Sequence, residues 1–310
     1  MKALVFGGSG FLGSHVADAL TSADYDVTIF DKRDSVYRKK EQKLIIGDIQ
    51  NHAEVNECIK NADIVYHFAG TADILEAQNN PVETVKNNIL SAAYILDACR
   101  EYKIKRFIYS SSIYVYSDKG SFYRSSKQAV ELLIENYSEI YGVDFTILRF
   151  GSLYGRRANE FNYIHNAIKQ ALTEGRIIRN GGGTEIRDYV NVLDAARASV
   201  KILENEYRNS YVMVTGTQTM RVGDLLAMIK EMLNNSIEIE FNDEKMLGHY
   251  EITPYSFKPR VAKKLILDYH YDLGQGILDC IYDTYKQLSK DGIKTKFDLE
   301  KNNFREAEVK

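Results

Sequence analysis

The sequence predicts an α/β protein in which a doubly wound parallel sheet is accompanied by a smaller C-terminal lobe. Through the first half of the chain, short apolar, β-rich runs alternate with longer helical patterns, which is typical of a parallel sheet covered by helices on both faces. The second half is less regular, with helices separated by short strands and loops. Only three prolines occur in 310 residues, so no obvious linker divides the chain.

Each element of this prediction follows from its periodicity. The apolar runs of the first half predict strands at residues 2–6, 26–31, 43–46, 62–67, 104–110 and 144–149. The helical patterns between them predict helices near 11–21, 51–60, 82–101 and 124–141. In the second half the helices are predicted near 160–174, 192–205, 221–233 and 275–289. We therefore expect a sheet domain over residues 1–150, with 189–215 returning to it, and a lobe formed by 151–188 and 216–310.

Composition argues against several classes of function. Forty basic and 43 acidic side chains give a formal charge of −3. The sequence therefore has no overall positive charge that would attract nucleic acid or an acidic membrane surface. The three cysteines are odd in number and form no CxxC pair, and the histidines show no HxxxH spacing, so neither a disulfide framework nor a metal site is expected. The N-terminal run is unlike a signal peptide, and no stretch approaches membrane-spanning length. We expect a cytoplasmic protein.

The first strand, KALVF, leads directly into GGSGFLG and the first helix. Gly7, Gly10 and Gly13 fall at this turn, where missing Cβ atoms let backbone amides and the helix N-terminus face a pyrophosphate. Asp31 ends the second strand, where a carboxylate accepts hydrogen bonds from ribose hydroxyls and repels a 2′-phosphate. We predict a Rossmann site that favours NAD over NADP. Lys32 and Arg33 follow at once; a solvated turn is the simpler interpretation for both, although Lys32 is kept as a candidate cofactor contact.

Tyr123 and Lys127 lie one helical turn apart in YRSSK, so their side chains share one face. An ammonium beside the phenol favours the phenolate and lowers its pKa from about 10, which lets Tyr123 take a proton from a substrate alcohol. Ser112, at the end of the fifth strand, can form a hydrogen bond to the same oxygen. In a chain with 22 tyrosines such a pair means little by itself.

Taken in order, these motifs resemble those of the NAD-dependent epimerase/dehydratase family of extended short-chain dehydrogenases/reductases. Within that family, the short sequence motifs are most similar to those of UDP-galactose 4-epimerases. The likeness runs from Lys2 to about Met220. It implies an NAD domain with a smaller lobe that binds a nucleotide-diphosphate sugar, and a reaction that begins by oxidising the sugar, usually at C4. It also implies that Ser112, Tyr123 and Lys127 are the catalytic triad.

The resemblance implies further cofactor contacts. The segment GDI matches the family's adenine contact, HFAG lines the cofactor, and Asn87 in KNNI matches a residue that steadies the nicotinamide side. The implied cofactor residues are Gly7, Gly10, Phe11, Leu12, Gly13, Asp31, Lys32, Asp48, Ile49, Phe68, Ala69, Gly70, Asn87, Ser110, Tyr123 and Lys127.

Two segments resemble those that border substrate in the family. LRFGSLYG contains Ser152, and GGGTEIRDY contains Arg187. In relatives an arginine at the place of Arg187 meets the diphosphate, which agrees with a planar guanidinium binding phosphate. Arg260 in KPRVAKKL is the candidate for a second diphosphate contact.

Several departures from the family pattern narrow the reaction. Only eleven positions separate Ser112 from Tyr123, whereas relatives carry a longer, proline-containing loop, so we expect a more open site. Ile113 and Tyr114 stand where the 4,6-dehydratases have an acidic pair, so elimination of water is not expected. Ser152 replaces a common asparagine and Ala72 replaces a lysine of the epimerases, which leaves the sugar contacts open.

The leading prediction is NAD-dependent oxidation at C4 of a nucleotide-activated sugar, by a 4-dehydrogenase or a 4-epimerase. One alternative is a 4-keto-sugar reductase, which Asp31 disfavours because NADPH is the usual reductant. Another is a non-catalytic NAD-binding regulator, which the intact triad disfavours. The apolar faces of the helices near 82–101 and 124–141 predict a homodimer. The nucleotide, the sugar and the direction of the reaction stay open.

Overall fold

The computed structural model describes residues 1–242, 263–265, 267–297 and 299, which divide into two compact units. The first unit contains residues 1–151, 195–215 and 263–265, and the remaining described residues form the second. The return to the first unit thus begins at Ala195, later than the expected 189, because residues 186–191 form a strand that pairs with strands of the second unit.

The described strands have regular bounds. They are β1 (Lys2–Phe6), β2 (Asp26–Asp31), β3 (Lys43–Ile46), β4 (Ile64–His67), β5 (Arg106–Ser112), β6 (Phe145–Phe150), β7 (Ser152–Tyr154), β8 (Arg176–Asn180), β9 (Ile186–Asn191), β10 (Ser210–Val214), β11 (Gln218–Arg221), β12 (Glu238–Asn242) and β13 (Lys263–Lys264).

The described α-helices are α1 (Phe11–Ser22), α2 (His52–Ile59), α3 (Ile74–Asn79), α4 (Pro81–Thr84), α5 (Ser91–Glu101), α6 (Ser121–Tyr141), α7 (Tyr163–Glu174), α8 (Val192–Lys201), α9 (Val222–Met232) and α10 (Leu273–Lys290). A π-helical turn, Val85–Leu90, joins α4 to α5, and short 3₁₀ helices occupy Ile113–Tyr116 and Asn205–Tyr207. The predicted single helix over 82–101 is therefore interrupted by one wide turn.

The first unit is a parallel sheet in the order β13-β10-β6-β5-β4-β1-β2-β3, which confirms the predicted fold class. The six predicted strands are β1 to β6. Every residue of β4 and β6 is buried, which is why these runs are continuously apolar rather than alternating. The chain order reverses between β1 and β4, and ligands of such sheets bind at the carboxyl ends of the strands beside this reversal.

Local sequence signals set the ends of several helices. Asn51, Asn162 and Asp272 cap α2, α7 and α10 by accepting hydrogen bonds from backbone amides of the first turn. Gly142 ends α6 in the left-handed conformation, at φ +70°, where its amide bonds to carbonyls of the last turn. The starts of the three capped helices lie within three residues of the predicted ones, and α6 ends at Tyr141 as predicted, whereas α8 ends at Lys201 instead of the predicted 205.

The second unit contains two small sheets and three of the longer helices. Strand β9 pairs in parallel with β7 and antiparallel with β11, and β8 pairs in parallel with β12. Helices α7, α9 and α10 contribute the apolar side chains of a separate core, among them Ile168, Leu226 and Ile277. None of the helices in the described part of the chain combines the length and apolar character needed to span a bilayer.

Candidate functional site

The glycine loop after β1 is packed so tightly that two of its positions exclude a side chain. Gly7 has φ +78°, and a Cβ there would lie 2.6 Å from the backbone nitrogen of Ala69. A Cβ on Gly13 would lie 2.1 Å from the carbonyl oxygen of Gly7. Gly10 is exposed and begins α1 without a side-chain cap, so the first-turn amides of α1 face outward for an anionic ligand. This cradle fits the pyrophosphate of a dinucleotide.

Asp31 ties the glycine loop to the end of β2. One carboxylate oxygen accepts a hydrogen bond from the amide of Ser9 at 3.0 Å, and the other accepts one from the amide of Arg33 at 3.4 Å. The ammonium of Lys32 lies 3.3 Å from a carboxylate oxygen of Asp48. Lys32 therefore pairs with Asp48, another of the predicted cofactor residues.

Five further predicted cofactor residues follow the carboxyl ends of neighbouring strands. Asp48 and Ile49 come after β3, and Phe68, Ala69 and Gly70 come after β4. The side chains of Leu12 and Ile49 are buried, so these two residues present mainly backbone atoms to a ligand. Parallel strands share one carboxyl edge, so the sheet places all these segments beside the glycine loop.

The π-helical turn carries an asparagine that sequence reasoning missed. Asn88 is buried; its Oδ1 accepts a hydrogen bond from the amide of Thr71 at 2.7 Å, and its Nδ2 donates to the Thr71 carbonyl at 3.0 Å and to Ser126 Oγ at 2.9 Å. Gly70, with φ +133°, is required here because a Cβ would lie 2.5 Å from Asn88 Oδ1. Asn88 therefore links the loop after β4 to α6.

The predicted residue Asn87 has different partners from its neighbour. Its Oδ1 accepts a hydrogen bond from Gln50 Nε2 at 2.7 Å, and its Nδ2 donates to Thr71 Oγ1 at 3.3 Å. Asn87 thus connects the loops that follow β3 and β4. The only sequence signal for Asn88 was its position next to Asn87 in KNNI. The pattern of a regular helix could not show that Asn88 points inward, because a π-helical turn changes the directions of the side chains.

Lys127 is buried on α6 beside the aromatic rings of two tyrosines. Its ammonium donates to the carbonyl of Ser110 at 2.7 Å and lies 4.8 Å from the centre of the Tyr109 ring and 5.7 Å from that of Tyr123. Burial lowers the pKa of Lys127 to about 8, although the charge of Glu131 acts in the opposite direction. The ammonium persists at neutral pH and lies against the ring of Tyr123, as the YRSSK spacing predicted.

Ser112 ends β5 and caps the 3₁₀ helix that follows. Its Oγ accepts a hydrogen bond from the amide of Tyr114 at 3.3 Å, so its hydroxyl hydrogen can be donated elsewhere. The ring of Tyr114 meets that of Tyr123 edge-on, with 6.1 Å between ring centres. Gly120, at φ +101°, leaves room for the Tyr114 ring in this edge-on contact, because a Cβ there would lie 2.7 Å from Tyr114 Cδ1.

Helix α6 holds the short loop between Ser112 and Tyr123 at two carbonyls. Arg124 Nη1 donates to the carbonyl of Ser117 at 2.8 Å, and Gln128 Nε2 donates to that of Val115 at 2.9 Å. The loop is therefore fixed to the same helix that carries Tyr123 and Lys127.

His67, at the end of β4, does not act as an acid or base at neutral pH. Burial, with a smaller contribution from the charge of Lys127, lowers the pKa of His67 to about 3. The imidazole is neutral and packs against the rings of Phe107 and Tyr109.

In the second unit, the predicted substrate residues lie on adjacent strands. Ser152 begins β7 and is paired with Tyr189 of β9, and the buried Arg187 lies on β9 with its Nη1 donating to the carbonyl of Ile186 at 3.0 Å. Arg260 lies outside the described residues. An ion pair that sequence reasoning missed, Arg179–Glu185 at 3.0 Å, is also buried in this unit.

Comparisons with known proteins agree with this geometry. Residues 3–214 match the profile of the NAD dependent epimerase/dehydratase family. A Methanocaldococcus jannaschii protein, provisionally named a UDP-glucose 4-epimerase, is 31% identical over 252 residues, which cover 73% of this chain and 81% of that protein. UDP-glucuronic acid decarboxylase 3 of Arabidopsis thaliana is 26% identical, over 85% of this chain and 82% of the relative.

Solved structures share the fold. The UDP-glucuronic acid 4-epimerase of Bacillus cereus, solved with UDP-glucuronic acid and NAD, aligns with a TM-score of 0.81 at 23% identity and covers 93% of this chain and 100% of its own.

Proposed function

The chain belongs to the NAD-dependent epimerase/dehydratase family, and from this premise we propose that it is a UDP-sugar 4-epimerase. The observation that carries the proposal is the buried ammonium of Lys127, which lies 5.7 Å from the centre of the Tyr123 ring and donates to the carbonyl of Ser110, two residues before Ser112 on β5. Relatives named as UDP-glucose 4-epimerases support the choice of substrate and of carbon.

NAD, when bound, supplies the acceptor and the later donor of a hydride. The residues proposed to hold it are the glycine loop at the pyrophosphate, Asp31 at the adenosine ribose, and the segments after β3 and β4 along the remainder. The excluded Cβ positions at Gly7 and Gly13 are the structural reason that this loop fits a dinucleotide.

The proton of the sugar's C4 hydroxyl is proposed to pass to the phenolate oxygen of Tyr123. The ammonium of Lys127 stabilises that phenolate, because a nearby positive charge favours the ionised form of a phenol. Ser112 donates its hydroxyl hydrogen to the substrate oxygen and orients it toward Tyr123. The hydride that bound NAD would take from C4 would return to the opposite face of the 4-keto sugar after the sugar has turned, and Tyr123 would give the proton back to the C4 oxygen, which completes inversion.

We propose that the second unit binds the nucleotide through Arg187. A guanidinium matches the paired oxygens of a diphosphate, and its burial strengthens the interaction. Ser152, on the neighbouring strand, is proposed to contact the sugar.

A panel of nucleotide sugars tests this function. The protein is incubated with NAD and, separately, UDP-glucose, UDP-N-acetylglucosamine and UDP-glucuronic acid, while NADH absorbance and the sugar products are followed. Appearance of a 4-epimer without net NADH supports the proposal. One NADH released per sugar identifies a 4-dehydrogenase, and carbon dioxide from UDP-glucuronic acid identifies a decarboxylase. No turnover of any of these sugars contradicts the proposal.

We also propose a homodimer formed through α5, α6 and the preceding π-helical turn. Large apolar side chains on the π-helical turn and on α6 are exposed, namely Val85, Leu90, Leu132, Ile140 and Tyr141. Such surfaces are rarely left to solvent. Leu132→Glu is expected to give a monomer by light scattering, and Val36→Glu, at an exposed valine elsewhere in the first unit, is the control. A monomeric parent protein contradicts the proposal.

The cytoplasm is the proposed location. All three cysteines are free thiols, and two of them, Cys99 and Cys280, are buried. Unpaired thiols favour a reducing compartment. Fractionation of cells that produce the protein tests this, and recovery outside the cytoplasm contradicts it.

A further inference from the structure

A fully buried ion pair lies directly behind the proposed catalytic residues. Glu131 of α6 and Arg149 of β6 have side chains that are only 2% and 1% exposed. Arg149 Nη2 donates to Glu131 Oε2 at 2.7 Å, and Arg149 Nε donates to Glu131 Oε1 at 3.0 Å. The pair is therefore bidentate, which fixes the orientation of both groups as well as their distance.

The pair extends to the end of β5 and to the loop after it. Ser111, the residue before Ser112, donates its hydroxyl hydrogen to Glu131 Oε1 at 2.6 Å. Arg149 Nη1 donates to the hydroxyl of Tyr116, the last residue of the 3₁₀ helix that Ser112 caps. The guanidinium carbon also lies 4.4 Å from the centre of the Tyr211 ring on β10. One network thus joins α6, β5, β6 and β10.

Stability alone is a poor explanation for this network. Removing two charges from water is costly, and apolar replacements of a buried ion pair are often neutral or stabilising. Two members of the network are instead close in sequence to proposed catalytic residues. Ser111 adjoins Ser112, and Glu131 lies one turn beyond Lys127 on α6.

The charge of Glu131 also acts on Lys127. The groups that face Lys127 are the Ser110 carbonyl and the Tyr109 ring from β5, the Tyr123 ring and Glu131 from α6, and His67 from β4, which is neutral. Burial lowers the pKa of Lys127, and Glu131 is the carboxylate that raises it again.

We propose that the Glu131–Arg149 pair is a positioning unit, which fixes α6 against the ends of β5 and β6 and keeps Lys127 in its charged form. This inference rests on the proposed function, because it assumes that Tyr123 needs an adjacent ammonium. Glu131 and Arg149 act through Lys127, Tyr123 and Ser112 and are not themselves in contact with substrate in this account.

The charge is tested without substrate. Protein labelled with ¹³C at the lysine ε-carbon is titrated by NMR, and the Lys127 signal is identified by its absence from Lys127→Met. We expect Glu131→Gln to lower the titration midpoint of Lys127 by on the order of one pH unit. Asp144→Asn is the matched control, because Asp144 adjoins the other end of β6 and pairs with Arg208. An unchanged midpoint in Glu131→Gln overturns the proposal.

The positioning role is tested by turnover of whichever UDP-sugar the parent protein converts. Glu131→Gln is expected to lower kcat by about 10²-fold, with KM little changed, because small displacements of reacting groups have effects of that size. The double variant Glu131→Leu, Arg149→Met leaves no unpaired buried charge and is expected to melt close to the parent temperature while kcat stays low. Recovery of kcat in the double variant overturns the positioning role. If no sugar is turned over, the proposed function fails while the NMR titration still decides the charge relation.

Discussion

The two units hold their candidate residues in different ways, and the contrast is clearest in their buried arginine–glutamate pairs. In the first unit, Arg149 and Glu131 make two mutual hydrogen bonds and further bonds to Ser111 and Tyr116. In the second, Arg179 Nη2 bonds to Glu185 Oε1, but within the described residues Arg179 Nε and Glu185 Oε2 are buried without a hydrogen-bond partner.

This difference suggests a division of roles between the units. A network whose polar atoms are all paired holds one geometry, which suits proton transfer. An ion pair with one hydrogen bond fixes the orientation of its groups less strictly than a bidentate pair, and Arg187 follows Glu185 by only two residues. Changes in the first unit should therefore act mainly on kcat and on the cofactor, whereas changes in the second should act mainly on KM for the sugar nucleotide.

The largest effect is expected from Tyr123→Phe in the first unit. Loss of the phenol oxygen removes the proton acceptor and should reduce kcat by about 10²-fold to 10⁴-fold, while NAD affinity by calorimetry is nearly unchanged. Tyr137→Phe, on the same helix but half-buried against the apolar core, is the control and should retain turnover. Full activity in Tyr123→Phe would remove the basis for the assigned chemistry.

Arg187→Ala in the second unit is expected to have a smaller effect, which acts on KM instead of kcat. Loss of a hydrogen bond to a charged ligand costs about 1.5–3 kcal/mol, so KM for the UDP-sugar should rise about tenfold to a hundredfold with kcat little changed. The KM of Arg187→Lys should lie between that of the parent protein and that of Arg187→Ala, because an ammonium keeps the charge but lacks the planar geometry of a guanidinium. Arg176→Ala, at an exposed residue of β8, is the control. A fall in kcat alone would break the proposed division.

In Asp31→Asn, the ratio of NAD affinity to NADP affinity should fall by about tenfold. The side-chain oxygen of the new asparagine can still accept the hydrogen bond from the backbone N–H of Ser9, but the neutral side chain no longer repels a 2′-phosphate. NAD affinity should fall and the discrimination against NADP should shrink, as measured by calorimetry with both dinucleotides. Asp34→Asn, three residues along and paired with Arg38, should change neither affinity. Unaltered discrimination in Asp31→Asn would mean that another group selects the cofactor.

The smallest predicted effect is a pH dependence set by the first unit. Because the pKa of Lys127 is lowered to about 8, its ammonium is present below that pH and is lost above it. The kcat of the parent protein should therefore fall as pH rises through about 8. In Lys127→Arg, whose guanidinium stays charged, this alkaline fall should move to higher pH. The same fall in both proteins would assign it to a different group.

Most of the fold was predictable because its signals are local. The strands at residues 2–6, 26–31 and 43–46 have the predicted bounds, since short apolar runs between polar turns mark strands of a parallel sheet, including the largely exposed edge strand β3. Three later strands begin one or two residues after the predicted starts at 62, 104 and 144, where the pattern gives no sharp boundary. The interruption at Val85–Leu90 was missed, because a π-helical turn is defined by backbone hydrogen bonds between residues i and i+5, which the apolar pattern does not specify.

The candidate site was predictable only where neighbouring residues carry it. The glycine loop and the Tyr123–Lys127 pair follow from short spacings. Glu131 and Arg149 are 18 positions apart on different elements, so their contact depends on how α6 packs on β6, which no spacing reveals. Asn88 likewise could not be distinguished from Asn87 before the wide turn placed it inward.

The most direct test of the account follows deuterium at C4 of the sugar. UDP-glucose carrying deuterium at that carbon is incubated with the protein and NAD, and the product is analysed by mass spectrometry and NMR. The account predicts UDP-galactose that retains the deuterium at C4, together with slower conversion than for the unlabelled sugar. Conversion with loss of deuterium to solvent, or with inversion at another carbon, would contradict it.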